Sequence, residues 1–562
     1  MIPRMTMSIS SSMRRLLGVV LAVGLLVGVG WMYRIELLLA GVGILVNLSS
    51  SVDPNVPVSW SSGPDPAGRS REKRPPNIVL IVADDLGWND ITFAGGGVAG
   101  GTVPTPHIDS IAKEGVIFHN GYAGNATCAP ARAALMSGRY STRFGFEYTP
   151  APSSIIPLVM WVDAAGQPRI APTLPAEDDN TLSFEEMGMP PSEVTIAEVL
   201  RNAGYHTVHV GKWHLGRANG MAPHDQGFEE SLMMESGLYL PEDDPGVVNA
   251  KLNFDQADRV IWRVMQHAVS FNGSRAFEPQ GYLTDYLSDE AVKAIEANRE
   301  RPFFLYLAHF APHTPLQATL DDYEALSHIP LHRERIYAAM VRALDRGVGR
   351  VLDALRQQGL EENTLVIFTS DNGAPGSLGL PSVNSPYRGW KATFFEGGIH
   401  VPFFFKWPAQ LPSGTAVHQP VHHFDVFATA ASVAGAELPK DRLIDGIDLL
   451  PFAKGEADGT THEALFWRSG ASKTALVRGW KLNMSDPPGR RWVFDLRADP
   501  TERRNLAATR PDKVVELERA FLAHNSEQMN SRWPPTASFA TPVDKDTSVP
   551  VELGDDWVYW SN

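Results

Sequence analysis

The chain has 562 residues but a single cysteine, Cys128, so no internal disulfide can staple it and its fold must rest on a buried core. Positive charge is also scarce: 49 Lys and Arg stand against 64 Asp and Glu, a formal net charge of -15. No basic run is long enough to grip a phosphate backbone, which argues against nucleic acid as a partner. An anionic ligand would have to be drawn by a local cluster of cations. The apolar runs near the N-terminus are not followed by a clear Ala-x-Ala cleavage site.

Those runs are the first feature present. Arg14 and Arg15 precede Leu16 to Tyr33, close to the roughly 20 apolar residues needed to span a bilayer. A second run, Ile35 to Leu48, carries Glu36 and is short for a span. Residues 1–48 therefore read as an uncleaved signal anchor whose basic side stays in the cytoplasm, with a cleaved signal peptide as the alternative. Either places the catalytic part in the periplasm, the lumen or outside. Residues 49–76, rich in Ser, Pro, Gly and charge, read as a linker. Hydrophobic content of 43% with 43 prolines and 48 glycines indicates a loop-rich globular body with a sizeable core. Its divisions are a catalytic domain over 77–455, a small subdomain over 456–530 and a tail over 531–562.

Asn77 to Ala83 is a continuous β-branched apolar run, the mark of a strand buried on both faces of a parallel sheet. Asp84 and Asp85 follow directly. Adjacent carboxylates there repel unless a cation or protons neutralise them, so a metal is the economical reading and a solvated turn the plain one. Val116 to Tyr122 reads as a strand leading to Cys128-Ala-Pro-Ala-Arg132 and to a helix whose N-terminal amides suit an anionic ester. A helix is expected over Ser192 to Ala203, with Ser192 as its cap. His206 to Val210 precedes Lys212 and His214, Phe303 to Ala308 precedes His313, and Thr364 to Thr369 precedes Asp371 and Asn372. Amphipathic helices such as Ile336 to Leu355 alternate with these strands. Together they predict an α/β fold: a large, mostly parallel sheet flanked by helices, with a smaller C-terminal antiparallel sheet plus a helix over Ala464 to His524. Parallel sheets place ligands beyond the carboxyl ends of their strands, so these polar clusters are expected to share one site. Tyr148 to Pro191 and Gly220 to Gln280 read as loops near it.

The blocks Ala-Asp-Asp-Leu-Gly-Trp, Cys-Ala-Pro-Ala-Arg, Gly-Lys-Trp-His-Leu-Gly, Ala-Pro-His-Thr-Pro, Ser-Asp-Asn-Gly and Lys391 through Glu-Gly-Gly, in that order, resemble the formylglycine-dependent sulfatases of the alkaline-phosphatase superfamily. The resemblance runs from about Asn77 to about Asn525. It implies that Cys128 is oxidised by a separate maturation enzyme to an aldehyde whose hydrate attacks sulfur. It further implies a divalent cation, calcium or else magnesium, on Asp84, Asp85, Asp371, Asn372 and the modified Cys128. Lys212 and Lys391 would grip the sulfate, Arg132 would support the hydrate, His313 would protonate the departing alcohol and His214 would act as base. His107 and His400 depart from the family's frequent asparagine and arginine. The implied substrate is a sulfated small molecule or carbohydrate. A phosphodiester or phosphonate monoester hydrolase using the same nucleophile, and an inactive membrane-tethered binding protein, are the alternatives.

Overall fold

A computed structural model of the chain describes residues 11–12, 31–70, 73–151, 182–487, 489–552 and 554–561. Most of the apolar run from Leu16 to Tyr33, and most of the expected loop from Tyr148 to Pro191, lie outside the described residues. No helix among the described residues is long and apolar enough to cross a membrane.

Strand β1, Asn77–Ala83, is the centre of the large sheet, and all seven of its residues are buried. Val79, Ile81 and Ala83 enter one hydrophobic layer; Ile78, Leu80 and Val82 enter the other. A strand covered on both sides has no polar face, which is why its sequence shows no alternation. The sheet order is β11 (Thr415–His422), β2 (Val116–Tyr122), β10 (Phe403–Lys406), β9 (Thr364–Ser370), β1, β7 (Phe303–Ala308), β3 (His206–Gly211), β4 (Glu230–Gly237) and β6 (His267–Phe271). All run the same way except β10 and β6, which are antiparallel to their neighbours. Ala83 stands opposite Ser370, Val82 opposite Ala308 and Ala308 opposite Gly211, so four strands deliver their following loops at one level.

Helices cover both faces. The apolar helix Arg34–Ser49 is α1. On one face lie α2 (Pro106–Lys113), α6 (Leu283–Ala297) and the long α7 (His332–Gln357), whose Ile336, Val341, Leu344, Val348 and Leu355 form a buried stripe. On the other lie α3 (Cys128–Ser137), α4 (Ile196–Asn202) and α8 (Asp425–Ala434). The helix expected from Ser192 begins instead at Ile196, because Thr195 is its cap: Thr195 Oγ1 accepts from Glu198 N at 3.1 Å, and the Glu198 carboxylate accepts from Thr195 N at 2.7 Å.

One expectation is corrected, and two segments named by composition alone take a place in the fold. The region from Gly220 to Gln280 is not a loop: it holds β4, β5 (Val247–Ala250, paired with β8, Leu316–Thr319), α5 (Gln256–Val264) and β6. Its strands were hidden by polar residues that find partners across the fold, as when Glu230 accepts from Ser61 and pairs with His206 at 2.7 Å. The linker over 49–76 is docked. Trp60 Nε1 donates to Glu290 at 2.8 Å, Ser61 N donates to Glu230 at 2.9 Å, and Asp53 bridges Phe277. The tail over 531–562 is integrated as well: Trp533 is buried in the main core, and β16 (Ser538–Pro542) pairs with β17 (Trp557–Ser561). The C-terminal antiparallel sheet is present as β12 (Ala464–Ser469), β13 (Ser472–Val477), β14 (Trp480–Ser485) and β15 (Arg490–Asp495), with α9 (Pro511–Asn525) packed on it through Leu517 and Phe521.

Candidate active site

The site lies where β1, β3, β7 and β9 end. Asp84 and Asp85 leave β1, Asp371 and Asn372 leave β9, and all four are buried. Asp85 N donates to Asp371 Oδ1 at 3.1 Å, and Asn372 Nδ2 donates to Asp85 Oδ1 at 2.7 Å, so the two acidic motifs interlock. Asn372 Oδ1 is buried and finds no hydrogen-bond partner among the described residues. The glycines of two motifs meet back to back: a Cβ on Gly373 would stand 1.9 Å from the Gly397 carbonyl oxygen, which excludes any side chain there.

Cys128 opens α3. Cys128 and Arg132 are one turn apart on that helix and so share a face. The thiol donates to Asp84 Oδ1 at 3.4 Å and lies 3.7 Å from Asp85 Oδ1. Burial, with Asp371 and Asp84 beside it, pushes this thiol well above its ordinary range. The sulfur as encoded is therefore protonated and a weak nucleophile. The fully buried Arg132 binds Asp371 Oδ2 through Nη2 at 2.8 Å, donates to the Lys212 carbonyl at 3.0 Å and to Tyr306 Oη at 3.2 Å, and lies 3.5 Å from Asp84 Oδ2. It braces carboxylates and a loop.

Lys212 Nζ pairs with Asp84 at 2.6 Å. Lys391 Nζ pairs with Asp85 at 2.7 Å, lies 3.3 Å from Cys128 Sγ and 3.4 Å from His313 Nε2. Burial alone would depress both ammonium groups, yet the neighbouring carboxylates hold both above the usual lysine range. Lys391 arrives at this edge because β10 runs backwards, so the loop ahead of it crosses the ends of the parallel strands. His313 Nδ1 lies 2.5 Å from the Thr314 carbonyl and its ring stacks on Phe310 at 4.7 Å, which aims Nε2 at Lys391 and Asp85. Burial and then the Lys212, Arg132 and Lys391 cations keep His214 well below its ordinary range, so its imidazole is neutral. It lines one cavity with Lys212 and His313, and its Nδ1 has no hydrogen-bond partner among the described residues. Asp85, His214 and Ala392 all adopt positive φ, 62°, 65° and 68°, a strained conformation for residues with a Cβ that clusters at this site.

One ligand atom from each of Asp84, Asp85, Cys128 and His313 lies within 4.8 Å of the others. A family model described as Sulfatase matches residues 76–436. The chain belongs to the sulfatase family. It is 32% identical to the steryl-sulfatase of Mus musculus over 82% of this chain and 84% of that one. It is 33% identical to the N-acetylgalactosamine-6-sulfatase of Mus musculus, over 72% and 71%. A crystal structure of Ps i-CgsB in complex with k-i-k-neocarrahexaose superposes with a TM-score of 0.67 at 30% identity, covering 82% of this chain and 95% of that one. This sulfatase is accordingly a sulfuric ester hydrolase of the alkaline-phosphatase superfamily, and its relatives favour sulfate over the phosphate-ester alternative.

Sequence reading missed a second buried cluster behind the sulfatase's Lys391 loop. Lys481 of β14 pairs with Glu396 at 2.6 Å and with Glu502 at 3.0 Å; Glu396 also pairs with His400 at 2.8 Å, and Glu502 accepts from Glu396 N at 2.6 Å. The departure at His400 is thus absorbed locally: its other nitrogen bonds the His119 carbonyl at 2.6 Å. His107 lies in the first turn of α2 and donates its backbone N–H to Asp345 at 3.0 Å. Tyr239, also missed, donates its hydroxyl to the carbonyls of Phe310 and His313 at 2.9 and 2.8 Å and so fixes the loop that carries His313.

Proposed function

We propose that this sulfatase cleaves sulfate monoesters of an aryl or carbohydrate alcohol with Cys128, matured to formylglycine, as its nucleophile. The observation that carries the reading is the convergence of the Cys128, Asp84, Asp85 and His313 ligand atoms within 4.8 Å. A protonated buried thiol fits a residue that must be chemically converted before it can act, and as formylglycine it would supply a hydrated aldehyde.

Asp84, Asp85, Asp371 and Asn372 would hold a divalent cation together with the modified side chain, and the unpartnered Asn372 Oδ1 fits that role. An oxygen donor set suits calcium, with magnesium second, and favours Asp371 and Asn372 over the His313 imidazole. When bound, the cation would neutralise carboxylates and polarise the ester.

The chain's own groups do the rest. Lys212 and Lys391, both kept charged, stabilise negative charge on the sulfate oxygens, while Arg132 holds Asp371 and Asp84 in place beneath them. With Nδ1 held at the Thr314 carbonyl and, against burial, Asp85 and Asp84 favouring its charged form, His313 would give the Nε2 proton of its imidazolium to the departing alcohol oxygen, and the neutral His214 would accept a proton in the return step. A relative named for N-acetylgalactosamine esters and a neighbour solved with a neocarrahexaose support the carbohydrate class, while a relative named steryl-sulfatase supports a fused-ring alcohol. Export with an N-terminal membrane anchor belongs to the same reading. It is supported by the apolar run from Leu16 to Tyr33 and by the exposed Leu37, Leu45 and Leu48 of α1.

The deciding test is the mass, with aldehyde trapping, of the Cys128 peptide from protein exported by a host that has a maturation enzyme, alongside turnover of matched sulfate and phosphate esters. An aldehyde with preference for sulfate is expected. An unmodified thiol in fully active protein would overturn the nucleophile.

A further inference from the structure

A cavity of about 260 Å³ opens from Lys212, His214 and His313, so on the sulfatase reading above it lies on the leaving-group side of the ester. Away from those groups its wall is made by Phe184, Met187, Met233, Met234, Met265 and Phe310. These come from separate stretches of chain: a short turn before α4, strand β4, the end of α5 and the loop after β7. β4 carries a bulge between Met234 and Ser236, a device that bends a strand and re-aims its side chains next to a site.

On this wall Glu235, Ser236 and Trp213 are already engaged, and Arg217 is half-exposed. Arg217 Nη1 pairs with Glu235 Oε2 at 3.2 Å, and Glu235 Oε1 accepts from Ser270 Oγ at 2.6 Å. Ser236 Oγ accepts from Gln266 N at 2.8 Å, and Trp213 Nε1 donates to the Met221 carbonyl at 2.8 Å. Arg217 also lies over the Phe184 ring at 5.7 Å, at the solvent side. Beyond the sulfate end, and apart from the half-exposed Arg217, the described residues therefore offer an entering ring mainly sulfur, aromatic faces and methylene groups.

We infer that the alcohol accepted here is an apolar, ring-bearing one, a phenol or a fused-ring alcohol, in preference to a sugar; this rests on the sulfatase reading above and narrows it. A hexose brings hydroxyls that would each lose water without gaining a partner against methionine and phenylalanine. An apolar ring loses nothing there and gains burial, and methionine adapts its shape and makes favourable sulfur–aromatic contacts. The specificity-determining residues are Met233, Met234 and Met265, which touch the leaving group and not the sulfur.

Calorimetric titration of the Cys128→Ala protein with 2-naphthyl sulfate and with galactose 6-sulfate tests this without turnover. The aromatic ester is expected to bind at least about tenfold more tightly. Met234→Gln and Met265→Gln are expected to weaken it several-fold while leaving galactose 6-sulfate within about twofold. Equal or tighter binding of galactose 6-sulfate, or binding of neither ester, overturns the assignment. The matured wild-type enzyme separates the two readings. A higher kcat/KM for galactose 6-sulfate defeats the pocket assignment and leaves the sulfatase standing. Selective binding of 2-naphthyl sulfate with no sulfate released from either ester defeats the hydrolytic reading and leaves the pocket assignment standing.

Discussion

Lys391 meets three partners of different chemistry: the Asp85 carboxylate, the Cys128 sulfur and His313 Nε2. Replacing it with Met keeps the stem and removes the charge. We expect Lys391→Met to lower kcat/KM for a sulfate ester by about 10²–10³, the usual loss for one preorganised electrostatic contact, read by steady-state kinetics. Asp90 shows the opposite use of a carboxyl group. It is buried, accepts from Gly87 N at 2.7 Å and Tyr337 Oη at 2.5 Å, and burial raises it to about 8. Because its folded value lies above its unfolded one, its contribution is fully present below about pH 4 and is lost as pH rises to about 8. Asp90→Asn should flatten the stability profile across that window, removing a slope of up to about 1.4 kcal/mol per pH unit, measured by urea denaturation at a series of pH values. At this scale Asp84, Asp85 and Lys212 could be read because they sit directly after apolar runs, and Lys391 only from its motif. Arg132 was named through its Cys-x-Pro-x-Arg motif, but its partners were not: Asp371, Tyr306 and the Lys212 carbonyl come from three strands that only the sheet order brings together.

The elements explain how the Lys391 loop is held. Lys391 and Glu396 belong to one loop, and Glu396 is clamped from behind by Lys481 of the small sheet and by His400. Burial works against every charge in this cluster, yet Lys481 and His400 keep Glu396 ionised, whereas burial and the nearby Glu396 push Glu502 upward. Lys481→Met leaves Glu396 facing Glu502 with no cation between them. It should destabilise the protein by about 3–5 kcal/mol in chemical denaturation. Lowered kcat with little change in KM would then report a displaced Lys391 loop. Lys481 stands in a strand whose sequence, Trp-Lys-Leu-Asn-Met-Ser, carries no functional signal. Its partner lies 85 residues away, so pairing across the subdomain boundary was invisible to periodicity. The docked strap from Asp53 to Ser61 was hidden for the same reason, since Trp60 and Ser61 find Glu290 and Glu230 only in the folded chain.

For the whole molecule, Asp84, Asp85 and Asp371 are three buried carboxylates at one sheet edge, compensated by Arg132, Lys212 and Lys391. Calcium at about 100 times its dissociation constant should stabilise the fold by about 2.7 kcal/mol, so a chelator should lower Tm and activity together, and calcium should restore both. Cys128→Ala should abolish turnover and leave Tm within a few degrees, because the side chain it trims is small and its partners are charged groups that retain one another. The sequence by itself determined the α/β class, the strands around Asn77, Phe303 and Thr364, and the motif residues of the site. Buried parallel strands must be continuously apolar, and reacting groups must follow them, and both facts are local. Tertiary structure alone decided which carboxylate each cation meets, that residues 49–76 and 531–562 pack against the body, and that methionines from distant segments wall the cavity beside His214 and His313. Those outcomes depend on strand order, register and long-range burial, which link residues far apart in the chain and leave no periodic trace in it.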